Sequence, residues 1–152
     1  MNSILVYTYP LSAVLIFALA IGVGLFLTHK FHLSWRLYWI GGAIFILSQV
    51  FHLPFNFLLL NPFLQHTLPE KLPAAWVLPV TALILGLSAG SFEELARWAG
   101  YRWWVKDARS WSRGLLYGAG HGGVEALLLG GLVLVTYINM VAIRNQDLAT
   151  LV

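Results

Sequence analysis

From Ile4 to Leu27 the chain carries no charged residue. A stretch that long and that apolar is best read as a membrane-spanning helix. A span takes about 20 residues, and lipid offers no water to satisfy a backbone that is not hydrogen-bonded within itself. Three more apolar stretches follow, at about 37–60, 74–99 and 113–137, with short polar linkers between them. The pattern predicts an all-α, polytopic transmembrane helix bundle of about four spans, and a single membrane domain over residues 1–152. Only 10% of the residues are charged and mean hydropathy is +0.77, where a soluble domain carries about 25% charged residues. The first stretch is too long for a signal-peptide core and lacks a basic leader, so it reads as a retained span.

The net charge of +3 does not indicate nucleic-acid binding, because topology accounts for most of the basic residues. Lys30 and Arg36 fall in loop 28–36, and Arg102, Lys106 and Arg109 fall in loop 100–112, with Arg97 and Arg113 flanking it. Loop 61–73 holds only Lys71. The basic-loop rule then puts loops 28–36 and 100–112 on the cytoplasmic side of an inner, bacterial-type membrane, with both termini outside. Tryptophans near the predicted helix ends fit interfacial anchoring in lipid. Absence of cysteine excludes thiol catalysis, thiolate metal sites and disulfides.

Within this frame several details are expected. Pro54 kinks the second helix. Residues 61–73, with Pro62, Pro69 and Pro73, form a loop. Ala82, Gly86 and Gly90 permit close helix approach. The fourth helix continues to about Ala142, and a short polar tail follows.

Charged groups inside such sequence need a reason, since each costs roughly 2.5–3.5 kcal/mol even on the lenient insertion scale. Glu93 and Glu94 lie six to seven residues before Gly100, and Glu93 and Arg97 stand in the favourable i, i+4 order. Glu94, about 100° away around the helix, is then free to point elsewhere. His121 and Glu125 are also i, i+4, among Gly118, Gly120, Gly122 and Gly123, which let another backbone or an extended peptide come close. At 1.5 Å per residue Glu94 and His121 are about 9 and 13 Å from the intervening turn, so they reach similar depth. Gln49, His52 and Asn56 share a face of the second helix. A carboxylate and an imidazole around a water can act as base and orienting acid, and the same groups can hold zinc with an open position.

These residues resemble the YhfC family of predicted intramembrane proteases, which is related to the CAAX prenyl protease and bacteriocin-processing group. The likeness rests on Glu93, Glu94 and Arg97, on Gly118, Gly120, His121, Gly122, Gly123 and Glu125, and on the stretch Ser48 to Pro54. It implies peptide-bond hydrolysis in or beside the membrane, on a membrane-protein or peptide substrate. Glu93, Glu94, His121 and Glu125 would be catalytic, with Arg97, His52 and Gln49 in support. If a metal is bound, zinc on His121, Glu125 and Glu94 is the expectation. Members of that family usually continue into further spans with another histidine, whereas this sequence stops at Val152, so a truncated or minimal form is expected. Two other readings stay open: a proton- or cation-coupled transport bundle, and a non-catalytic membrane partner whose polar clusters only lock the helices.

Overall fold

A computed structural model describes residues 3–144. Its helices, in chain order, are α1 (Ser3–Phe31), α2 (Arg36–Phe55), α3 (Asn61–Lys71), α4 (Ala74–Trp103) and α5 (Trp111–Arg144), with a π-helical turn over Asn56–Leu60 between α2 and α3. Among the described residues there is no strand. Four stretches are long and apolar enough to cross a membrane: Ile4–Phe31, Arg36–Lys71, Ala74–Trp103 and Trp111–Ile143. The polar tail expected after the fourth helix lies outside the described residues.

The second stretch corrects one expectation. Residues 61–71, read above as part of a proline-containing loop, are helical. Pro62 occupies the first turn of α3, where a missing amide is tolerated. The π-turn before it takes up the change in hydrogen-bond register: the Asn61 amide donates to the Asn56 carbonyl, five residues back. In lipid a continuous helix keeps its backbone satisfied where a loop would not. The chain breaks only at Leu72, whose extended backbone (φ −126°, ψ 147°) is what the following Pro73 favours.

The chain forms two compact units. One comprises α1, α5 and the start of α2 to Gly42; the other runs from Ala43 to Arg109. In the first, glycines bring α2 and α5 backbone to backbone. A Cβ on Gly120 would overlap the Tyr38 main chain, one on Gly41 would overlap the Tyr117 carbonyl, and one on Gly123 would overlap the Tyr38 hydroxyl. That hydroxyl donates to the Ala20 carbonyl of α1 at 3.0 Å, so the fully buried Tyr38 ties all three helices together. On α1, a Cβ at Gly24 would come within 2.9 Å of the Trp35 and Tyr38 rings. Close packing through small residues is how helices associate without a hydrophobic driving force between them.

The α1–α2 turn also follows from local chemistry. The Leu33 amide donates to the Thr28 carbonyl at 3.0 Å and the His32 amide to the His29 carbonyl at 3.4 Å, the bond pair of a Schellman cap. Such a cap needs a left-handed residue, and His32 fills the place with φ 51°.

In the second unit Phe92 of α4 packs between His52 and Phe55 of α2, with ring centroids 5.2 and 5.3 Å away. The linker after α4 is held by Arg109, whose Nε donates to the Lys106 carbonyl at 3.0 Å and whose Nη2 donates to the Tyr101 carbonyl at 3.3 Å. Large apolar side chains such as Tyr7, Phe57 and Leu78 point outward, as lipid-facing surfaces do. Gly86 and Gly90, expected at a close helix contact, have open space where a Cβ would stand.

These contacts generate three stability predictions. Gly120→Ala should lower the thermal unfolding midpoint in detergent, because main chain cannot yield to the new methyl. Gly122→Ala, with nothing within 4 Å, should leave the midpoint unchanged or raised, since Ala is the better helix former by about 1 kcal/mol. His32→Gly should stabilise by about 1 kcal/mol in the same assay, through release of the left-handed strain. A lowered midpoint there would contradict the capping assignment.

Candidate functional site

The polar residues of the second unit lie where α2 meets α4. Gln49 and His52 are one turn apart on α2, and Glu93 follows Phe92 on α4. The Gln49 Nε2 donates toward Glu93 Oε1 at 3.5 Å and toward Ser48 Oγ at 3.3 Å. The His52 Nδ1 lies 3.5 Å from Gln49 Oε1. The 3.5 Å contacts are at the long limit for hydrogen bonds. The sequence thus brings a carboxylate, an amide and an imidazole together. His52, 5% exposed, is buried as apolar residues are.

Arg97 behaves differently from the expectation that left Glu94 free of it. The Arg97 guanidinium Nη2 forms an ion pair with Glu94 Oε1, one turn back on α4. The Glu94 side chain is 70% exposed. Both i, i+3 and i, i+4 neighbours are within reach of an arginine on a helix, so the spacing rule alone does not choose between the two glutamates. What distinguishes Glu93 is its approach to Gln49.

In the first unit His121 and Glu125 are one turn apart on α5, and His121 is 3% exposed. Its surroundings are set by the glycine seam: a Cβ on Gly41 would stand 2.9 Å from the His121 amide nitrogen. Tyr38 and Gly41, which build this packing, were missed by the sequence reading. The signal was present in the Gly41–Gly42 pair, which needs a close neighbour to justify two poor helix formers. The face of α5 around Gly122 instead borders an apolar cavity of about 210 Å³, lined by Leu19, Val23, Ala119, Gly122 and Ala126.

A zinc site takes at least three protein donors. Among the described residues no three histidine, cysteine, aspartate or glutamate side chains gather to hold a metal ion. His121 and Glu125 supply at most two from one helix face. The arrangement described does not fit a complete metal site.

Comparison with known proteins shows the family, whose description implies a metal for which the described residues do not complete a site. The family described as YhfC intramembrane metalloprotease matches residues 15–152. The chain is 32% identical over 130 residues to the uncharacterized membrane protein YhfC of Bacillus subtilis (strain 168), an alignment that covers 84% of this chain and 48% of that protein. The chain therefore spans about half the length of this curated relative. No solved structure matches. With four candidate spans, paired glutamates on α4 and the glycine-flanked His121 and Glu125 on α5, the chain belongs to the YhfC family.

Proposed function

We propose that the protein is an intramembrane endopeptidase, hydrolysing peptide bonds of membrane-embedded or membrane-adjacent polypeptides through water activated by glutamate and histidine. The observation that carries this reading is the approach of Glu93 to Gln49, which in turn meets the buried His52, within two stretches apolar enough to cross a membrane. The description of the family as intramembrane metalloproteases supports it.

In this reading Glu93 is the general base. Its carboxylate approaches α2 through Gln49, while the exposed Glu94 holds Arg97. Peptide hydrolysis needs a proton taken from the attacking water and one delivered to the leaving amine. A carboxylate can do both in turn, as base in the first half and as acid in the second. His121 and Glu125, one turn apart on α5, are a second imidazole–carboxylate pair. We assign His121 to orienting water or substrate and Glu125 to a second base. Glu94 and Arg97 position the α4 segment that carries Glu93. Lipid surrounds the outward apolar surface, and the substrate comes from the membrane.

The test is cleavage of a labelled transmembrane peptide by purified protein in liposomes. Glu93→Gln should reduce the rate by at least about 100-fold, the lower range for loss of a general base, with helix content by circular dichroism unchanged. Glu94→Gln should reduce it less. Full activity in Glu93→Gln would contradict the assignment, and no cleavage by the unmodified protein would contradict the function. Elemental analysis decides whether zinc accompanies this chemistry. Near-stoichiometric zinc that disappears in His121→Ala would make that imidazole a ligand; no zinc in either protein leaves hydrolysis to the carboxylates.

A further inference from the structure

Three ring and side-chain contacts fix how α2 lies against α4. Residue 52 meets 92, residue 55 meets 92, and residue 49 meets 93. α4 returns after the turn at Leu72–Pro73, so it runs antiparallel to α2, and one turn on from the His52–Phe92 contact lie residues 56 and 88. Those positions are Asn56, the first residue of the π-turn, and Ser88.

This seam contains an unusual group of atoms. His52 Nε2, Asn56 Oδ1 and Ser88 Oγ are all buried and have no hydrogen-bond partner. Leaving such an atom bare costs its full desolvation, so a partner is expected. Several hydroxyls in these helices are satisfied by their own backbone: Thr28 Oγ1 donates to the Gly24 carbonyl at 2.9 Å, Ser91 Oγ to the Leu87 carbonyl at 2.8 Å and Thr136 Oγ1 to the Leu132 carbonyl at 2.8 Å. Ser88 does not. The π-turn at Asn56 adds a second irregularity at the same level, and such turns recur at functional sites.

The neighbours also determine which kind of group is missing. Ser48 Oγ spends its proton on the Phe45 carbonyl at 2.7 Å, so toward Gln49 it can only accept. Glu93 Oε1 is likewise an acceptor. Both face the same end of the Gln49 amide, which must therefore be its NH₂ group, and the amide oxygen turns to His52. An oxygen facing Nδ1 calls for a proton on Nδ1. In the neutral imidazole this leaves Nε2 as a bare acceptor. Asn56 Oδ1 is an acceptor too, and Ser88 Oγ can serve as either.

We propose that the α2–α4 seam is a binding site for a small hydrogen-bond donor, a water molecule in the resting protein, taken up by His52 Nε2, Asn56 Oδ1 and Ser88 Oγ. The Glu93–Gln49–His52 chain is the device that keeps Nε2 in the accepting state. The site shares Glu93, Gln49 and His52 with the proposed hydrolytic centre and deepens that reading, but the tautomer and the bound water are read without a cleavage assay, so their failure and the failure of the protease reading are distinguishable.

Solid-state nitrogen NMR of protein labelled at histidine side chains in lipid bilayers tests the proposal directly, with His52 signals identified by their loss in His52→Gln. The expected result is a neutral ring protonated at Nδ1, with a cross-peak between Nε2 and water protons. Gln49→Leu should release the tautomer, so that Nε2 protonation rises while the other four histidines keep their shifts. Ser88→Ala removes one hydroxyl from the seam and should weaken the water cross-peak at least two-fold without altering helix content. A ring protonated at Nε2 in the unmodified protein would overturn the proposal. So would absence of the water cross-peak, or a Gln49→Leu spectrum identical to the original.

Discussion

Lipid gives a polypeptide nothing to hydrogen-bond with, and most of this structure answers to that constraint. The backbone responds by staying helical even through Pro62 and Pro69, where a soluble chain would have been free to loop. Thr28, Ser48, Ser91 and Thr136 return their proton to their own helix. Charged and amide side chains are drawn together: Glu94 with Arg97, and Glu93 with Gln49. The groups left over are then few and conspicuous. In water an unpaired imidazole nitrogen or serine hydroxyl carries no message, because solvent satisfies it. At bilayer depth the same atom marks a place where something else binds or reacts.

Packing depends on the same solvent. Lipid tails are as apolar as leucine, so helices gain little by burying leucines against each other and gain more by bringing backbones close. Tyr38 shows how this positions chemistry. Gly120 and Gly123 yield the space for its main chain and ring, and its hydroxyl reaches the Ala20 carbonyl. His121 sits between those two glycines in sequence. A larger residue at either would move α5 and carry His121 with it. The glycines around the histidine therefore serve its placement, in addition to the close approach they offer along the open Gly122 face.

Much of this was legible in the sequence. Length and apolarity give the spans with little ambiguity, because in a membrane the helix has no regular competitor apart from the closed barrel. The candidate site residues could be picked out for the same reason: a carboxylate in an apolar run stands out. What could not be read was the partner of each. Arg97 has glutamates three and four residues back, and both spacings suit a helix. Residues 61–71 were misread because Pro62 falls in the first turn of α3, where a helix tolerates proline, and the π-turn before it carries the helix on from α2. Ser88 was invisible, since one serine in an apolar helix is unremarkable until the residue opposite it is known.

Hydrolysis inside a membrane requires water at the site, and that requirement is the most exposed part of the account. The chain has no cysteine, so single cysteines can be introduced without background. Reaction of Ser88→Cys with a small, charged, water-soluble thiol reagent in intact liposomes measures whether water reaches the α2–α4 seam. Leu15→Cys, on the outward face of α1, serves as the lipid-facing control. The account predicts that Ser88→Cys is modified at least ten times faster than Leu15→Cys. Equal protection of both positions would mean a dry seam, and would contradict a water-activating site built on Glu93 and His52.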